Sequence, residues 1–434
     1  MNNTELAIHF FLQIAVILLV CRLVGLLAVR LGQPQVVAEM IAGVLLGPSL
    51  FGLYFPEIQG WIFPWDSSQQ TRDTQSYLFP ASQLGLALYM FIVGMEFRTD
   101  VIRQNYRASI AVSVAGMVVP FVLGGITAWF FFYHTRLFPE KTSVLEAMLF
   151  LGASMCITAF PMLARIIHFK GLAGSRMGTV AIGAGAIDDA TAWCLLAVVL
   201  ASFEGTWELA VRSISGGVLF VGVAILIVKP VLKRLLGWWV RPDDSLSDFG
   251  FVVGLCLMAV GAYVTDALGL HAVFGAFIMG SVIPKGLMTR DLIHRIQPLT
   301  VALLLPLFFA FSGLNTRIGL LDSWSLWGLC LWVLIAAIIG KGIACWLAAW
   351  WSGIPNRQAM GIGVLMNSRG LMELIIINIG LQRGIISEEL FAILVIMAVV
   401  TTLMASPIFD LLVDDDGKGE DLKIQSGEGP NPLG

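Results

Sequence analysis

Apolar stretches of about bilayer length, separated by short polar loops, recur along this chain until its C-terminal end. At about 20 residues per crossing, they predict thirteen transmembrane helices, centred near residues 17, 43, 88, 119, 155, 189, 219, 257, 277, 307, 338, 370 and 400. The fold class predicted is an all-α polytopic membrane protein. Residues 1–413 form the transport domain and 414–434 a short cytoplasmic tail. The tail is acidic at Asp414, Asp415 and Asp416, then rich in Gly and Pro, a composition expected to be disordered.

Lys and Arg orient the helices. With the N-terminus outside, fifteen basic residues fall in inside loops, including Arg98, Arg103, Arg107, Lys229, Lys233 and Arg234, against five in outside loops. The C-terminus is then cytoplasmic. No cleavable leader is expected, because Glu5 stands where a basic cluster would and the apolar run from Phe10 to Ala28 is long. The outside loop from Tyr54 to Tyr77, with Trp61 and Trp65, suits an interfacial cap.

Composition agrees: 58% hydrophobic residues, 13% charged and a mean hydropathy of +0.86. The net charge is only -3, which gives nucleic-acid binding no support. The six cysteines are scattered through apolar stretches without a CxxC pair, so they read as small buried hydrophobes. No nucleophile and base pairing or metal-ligand spacing points to an enzyme, and no cofactor is expected.

Candidate chemistry lies in charges at membrane depth. Asp188 and Asp189 sit mid-span in the sixth predicted helix, where each carboxylate costs about 2.5–3.5 kcal/mol on insertion scales. Glu39, Lys341, Arg369 and Glu373 also fall inside spans. Lys341, flanked by Gly340 and Gly342, is the expected counter-charge of the aspartate pair. Adjacent helical residues diverge by about 100°, so one aspartate can pair with Lys341 while the other faces a water-filled cavity. That second carboxylate can hold either a proton or a monovalent cation. Arg369 and Glu373, four residues apart, are expected to pair as a structural clamp, and Glu39 to be structural near the cytoplasmic edge.

Two spans carry central interruptions: Ile157-Thr158-Ala159-Phe160-Pro161 in the fifth and Met366-Asn367-Ser368-Arg369-Gly370 in the twelfth. Seven spans separate them, the same odd offset that separates the small-residue motifs at Gly43-Gly47 and Gly275-Gly280. An odd offset places two copies in opposite orientation, the inverted repeat of many secondary transporters. Small-residue patterns also recur in helix interfaces without any repeat.

The strings Glu39-Met-Ile-Ala-Gly-Val-Leu-Leu-Gly-Pro-Ser49, Phe91-Ile-Val-Gly-Met-Glu96, Ile157-Thr-Ala-Phe-Pro-Met-Leu-Ala-Arg165, Ala186-Ile-Asp-Asp-Ala-Thr-Ala-Trp193, His271-Ala-Val-Phe-Gly-Ala-Phe277 and Asn367-Ser-Arg-Gly-Leu-Met-Glu-Leu374 resemble the monovalent cation:proton antiporters. The likeness is to the branch of the plant cation/proton exchangers, with Kef-type proteins and NapA-type sodium/proton antiporters as relatives. The resemblance implies an NhaA/NapA-like antiporter fold with two crossed discontinuous helices, working as a homodimer. Its dimerisation domain would comprise spans 1–3 and 8–10, its ion-transport core spans 4–6 and 11–13, with span 7 as the link. The essential carboxylate maps onto Asp189. The preceding position is Asp188, where plant exchangers usually carry Asn; here it resembles the aspartate that pairs with a lysine in NapA-like proteins.

The expected function is secondary antiport of Na⁺ or K⁺ against H⁺ by alternating access, serving pH homeostasis in a cell membrane such as a bacterial inner membrane. Asp189 would bind cation and proton competitively, with Asp188, Thr158 and carbonyls at the helix breaks assisting. Lys341 would compensate charge, while Arg369, Glu373, Glu39, Asn367, Ser368 and Pro161 would build the core. A conductive cation channel, or an organic-anion/sodium symporter on a related fold, is the alternative.

Overall fold

A computed structural model describes residues 3–30, 33, 35–48, 50–63, 78–96, 105–172, 175–203, 207–240, 245–314 and 320–413. The acidic tail and residues 64–77, which hold Trp65, lie outside the described residues. Among the described residues the chain is almost wholly helical, with a single isolated bridge between Val240 and Leu246.

The helices are α1 (Asn3–Arg30), α2 (Gln35–Leu46), α3 (Phe51–Tyr54), α4 (Pro56–Ile62), α5 (Leu78–Glu96), α6 (Tyr106–His134), α7 (Val144–Cys156), α8 (Phe160–Phe169) and α9 (Arg176–Phe203). There follow α10 (Trp207–Val223, continuing to Trp239), α11 (Asp248–Ala267), α12 (Ala272–Val282), α13 (Leu287–Leu314), α14 (Trp324–Trp351), α15 (Asn356–Leu365), α16 (Leu371–Gln382) and α17 (Glu388–Leu412). Nine helical runs among the described residues are long and apolar enough to cross a bilayer. Helices α7 and α12 are apolar but shorter.

Helices α10, α13 and α14 each contain a π turn, at Ala224–Val228, Thr300–Leu304 and Ile339–Ile343. Pro230 and Pro306 follow the first two. A proline offers no N–H to the preceding turn, and a local widening of the helix re-satisfies the freed groups. The third π turn holds Lys341.

The chain forms two compact units. The first comprises residues 1–24, 39–97 and 200–315. Its helices approach closely at glycines. A Cβ on Gly43 would lie 2.2 Å from the Phe309 carbonyl oxygen, and one on Gly280 would lie 2.1 Å from that of Phe91. Both small-residue motifs therefore serve as helix contacts. Glu39 is fully buried in this unit.

The second unit comprises residues 25–38, 98–199 and 316–434. A capping box opens α7: Ser143 Oγ accepts from the Glu146 N–H while the Glu146 carboxylate accepts from the Ser143 N–H. Its core gathers Val112, Leu163, Ile166, Val180, Ala184, Ile362 and Phe409. Helices α14 and α15 touch where Gly363 faces the Gly342 carbonyl oxygen, 2.4 Å from any added Cβ. Gly363→Ala is expected to destabilise the protein by about 1–3 kcal/mol through overpacking. Gly328, with nothing within 4 Å of its Cβ position, is the control: Gly328→Ala should leave thermal unfolding unchanged or improved.

Candidate ion site

The site grows out of two helix breaks in the second unit. Helix α7 stops at Cys156, and the chain runs extended through Ile157 before α8 begins at Phe160. Pro161 is the second residue of α8, where a missing N–H leaves no helical bond unmade. Helix α15 stops at Leu365, and α16 begins at Leu371 after Met366 to Gly370. The two breaks meet: the Ala159 N–H donates to the Ser368 carbonyl at 3.2 Å.

A helix that stops inside a membrane leaves its last carbonyls without intrahelical donors and its negative dipole end uncompensated. Arg369 supplies both needs. Its guanidinium donates to the carbonyls of Ser154 at 3.1 Å and Met155 at 2.7 Å, and pairs with Glu373 at 3.1 Å. Glu373 sits in the first turn of α16, where a negative charge suits the helix dipole. The Arg369 backbone is tied to α17, its N–H donating to Thr402 Oγ1 at 3.0 Å. Arg369 and Glu373 are both buried, so the clamp spans three helices.

Lys341 is held by the same logic. Its ammonium donates to the Cys156 carbonyl, the last of α7, and to the Gly116 carbonyl of α6 at 3.0 Å. Residue 120, four positions after Gly116, is a proline inside α6, so that carbonyl receives no helical N–H. The third contact is Asp188 Oδ2 at 3.4 Å, with both side chains wholly buried. Two carbonyls freed by sequence breaks and one carboxylate thus surround the cation.

Asp188 is saturated. Its Oδ1 accepts from Ser113 Oγ at 2.6 Å, and its Oδ2 accepts from Thr158 Oγ1 at 2.7 Å as well as from Lys341. Asp189, 1% exposed, has neither carboxylate oxygen hydrogen-bonded among the described residues. The adjacent aspartates therefore differ in kind: one carboxylate is fully engaged and one is open.

The structure brings Asp188, Asp189, Thr158 and Lys341 together, with Arg369 and Glu373 at the neighbouring helix end. The Thr158 hydroxyl goes to Asp188, not Asp189, with a longer contact to the Met366 carbonyl at 3.4 Å. Ser368 Oγ donates to the Leu365 carbonyl and Asn367 Nδ2 to that of Gly363. Both close the turn after α15. Glu39 belongs to the other unit.

Sequence reasoning missed Ser113 and Thr402. A serine in an apolar helix ordinarily bonds back to its own helix, so nothing marked Ser113. Pro120, in contrast, was a legible signal of a freed carbonyl one turn away. Ser113→Ala removes a hydrogen bond to a charged group, worth about 1.5–3 kcal/mol. Reduced thermal stability with partial exchange is expected, and Ser113→Thr should recover most of both.

The chain matches the family described as sodium/hydrogen exchanger, transmembrane, over residues 15–414. The Na(+)/H(+) antiporter NhaS4 of Synechocystis sp. is 37% identical over 413 residues, covering 94% of this chain and 97% of that protein. Cation/H(+) antiporter 17 of Arabidopsis thaliana is 35% identical over 400 residues, and this chain spans only 47% of its length. Among solved structures, the sodium proton antiporter MjNhaP1 from Methanocaldococcus jannaschii superposes with a TM-score of 0.67 at 14% identity, over 99% of this chain and all of that one, which shows a common fold. Because the family match over residues 15–414 takes in nearly every helix and both breaks, and a relative of 37% identity is covered over 97% of its length, the chain belongs to the sodium/hydrogen exchanger family.

Proposed function

We propose that the protein is a secondary antiporter that exchanges Na⁺ or K⁺ for H⁺, with Asp189 as the group for which cation and proton compete. The observation that carries this reading is the open carboxylate of Asp189, buried beside an Asp188 whose oxygens are all engaged. An ionised carboxylate without donors at that depth is costly. A proton or a partly dehydrated cation relieves the cost, and only one of them fits at a time. Asp188, Thr158 and Lys341 form the fixed charge-compensating group next to it. Arg369, Glu373, Ser368 and Asn367 hold the breaks in place.

Alternating access then requires the second compact unit to carry the site, with the first unit supplying the scaffold and the contact of a homodimer. Within that assignment spans 1–3 and 8–10 are the dimerisation domain and span 7 the link. The protein resides in a cell membrane, such as a bacterial inner membrane, with its N-terminus outside.

The test is proton movement in proteoliposomes loaded with a pH-sensitive dye, with Na⁺, Li⁺, K⁺ and Rb⁺ added in turn. Proton flux driven by Na⁺ or K⁺ supports the reading. Folded protein that moves no protons with any cation removes it in favour of a channel or an organic-solute carrier. An imposed potential distinguishes the stoichiometries, since each net charge moved is worth about 2.3 kcal/mol per 100 mV.

A further inference from the structure

Helix α6 turns one buried face toward the lysine. Ser113, Gly116 and Pro120 are buried and follow one another at three- and four-residue spacing. Ser113 donates to Asp188 Oδ1, and the Gly116 carbonyl accepts from Lys341 at 3.0 Å. Pro120 lies against Gly340, the residue before Lys341: a Cβ on that glycine would stand 3.4 Å from the Pro120 Cα. At Gly116 an added Cβ would stand 2.5 Å from Cys345 Sγ, so α6 meets α14 at bare backbone. Gly340 and Lys341 both belong to the π turn of α14.

A proline inside a helix is costly, because it withholds an N–H and crowds the carbonyl four residues back. Helix α6 runs unbroken through Pro120 from Tyr106 to His134, so the carbonyl it frees is the one Lys341 uses. An ammonium has three N–H donors. Here they go to the carbonyls of Gly116 and Cys156 and to Asp188 Oδ2, and the carboxylate contact, at 3.4 Å, is the longest of the three. The carbonyls thus hold the lysine more closely than its counter-charge does. The two oxygens of Asp189, the next residue along α9, receive no donor among the described residues. Lys341 is itself a monovalent cation on a flexible four-carbon stem. Loosened from a carbonyl, it can turn to the open carboxylate and take the place of the transported ion.

We infer that Pro120 is a positioning residue for exchange: by withholding its N–H it reserves the Gly116 carbonyl for Lys341 and so keeps this built-in cation off Asp189. The inference rests on the proposed competition at Asp189. It gives a role in transport to a proline that touches no ion.

The experiment compares two replacements in the whole chain. Pro120→Ala returns an N–H to the helix. A lactic acid residue at position 120, introduced by nonsense suppression, carries the same methyl side chain but an ester oxygen in place of the N–H. In proteoliposomes, the cation that drives proton flux in the wild type is titrated at a pH high enough that protons no longer compete. Pro120→Ala is expected to raise the KM for that cation about three- to tenfold, with flux at saturating cation unchanged, and the lactic acid protein to return to the wild-type KM. A proline that served packing alone would change the melting temperature or the saturating flux and leave KM where it was. An unchanged KM in Pro120→Ala, or the same KM change in both replacements, overturns the inference.

A second measurement does not depend on transport and separates failure of this inference from failure of the antiport reading. In Lys341→Met the Gly116 carbonyl has lost its donor, and an N–H at position 120 supplies one. Pro120→Ala should therefore raise the melting temperature more in Lys341→Met than in the wild type. If Lys341→Met does not fold alone, recovery of folded protein in the double variant is the expected result. An equal gain in both backgrounds, or no recovery, counts against the pairing of Pro120 with Lys341.

Discussion

Asp189→Asn is expected to reduce cation-driven proton flux to the level of protein-free vesicles while leaving the fold intact. The asparagine side chain is nearly the same shape, and the buried carboxylate it replaces holds no hydrogen bond among the described residues. Removing an open, desolvated charge does not weaken a folded protein through lost partners, so melting temperature should hold or rise. What disappears is the group that can be either protonated or cation-bound. The wild type has a companion signature. If one proton and one cation compete at one carboxylate, the apparent KM for the cation rises as pH falls, by about tenfold per unit once the proton dominates. It levels off at high pH, where no proton competes. The measurement is initial proton or cation flux across a pH series in proteoliposomes. Full exchange in Asp189→Asn, or a KM indifferent to pH, would displace the ion from Asp189.

The architecture was legible because hydropathy and charge act over whole helices. Most of the span centres read from the sequence fall inside described helices, and the one at Gly370 falls in the second break. The breaks were legible because Pro161 and the Asn-Ser-Arg-Gly run stand out in apolar surroundings. The need of the aspartates for Lys341 followed from the expense of buried charge. Which aspartate would face it did not follow from spacing, because that depends on helix rotation; only the resemblance to NapA-like antiporters pointed to Asp188, the partner found. Nor could the sequence say that Thr158 would be spent on Asp188, or that Ser113 would cross from α6 to meet the same carboxylate. Hydroxyls are common in membrane helices and their partners are set by tertiary approach. The carbonyl acceptors of Lys341 and Arg369 were hidden for a different reason: every residue has a carbonyl, and only the ends of helices reveal which are free.

Lys341→Met is expected to be the most destabilising single change at the site, and its pairing with Asp188→Asn the most informative. The substitution keeps most of the side-chain volume but leaves Asp188 buried, 0% exposed, without its counter-charge. Breaking a buried pair by removing one partner costs about 3–5 kcal/mol. The carbonyls of Gly116 and Cys156 lose their donor at the same time. Asp188→Asn should be milder, since an amide still accepts from Ser113 or Thr158 and Lys341 retains both carbonyls. The double variant Lys341→Met with Asp188→Asn removes both charges together, so it should be more stable than Lys341→Met alone. A coupling energy within the range of about 0.5–3 kcal/mol, read from thermal or chemical unfolding of all four proteins, is the expected result. If the double variant is as unstable as the sum of the singles, the lysine acts through the freed carbonyls and not through the aspartate. Exchange adds a second reading. Because Asp189 remains in the double variant, residual cation-dependent proton flux there would separate the group that binds the ion from the pair that balances its charge.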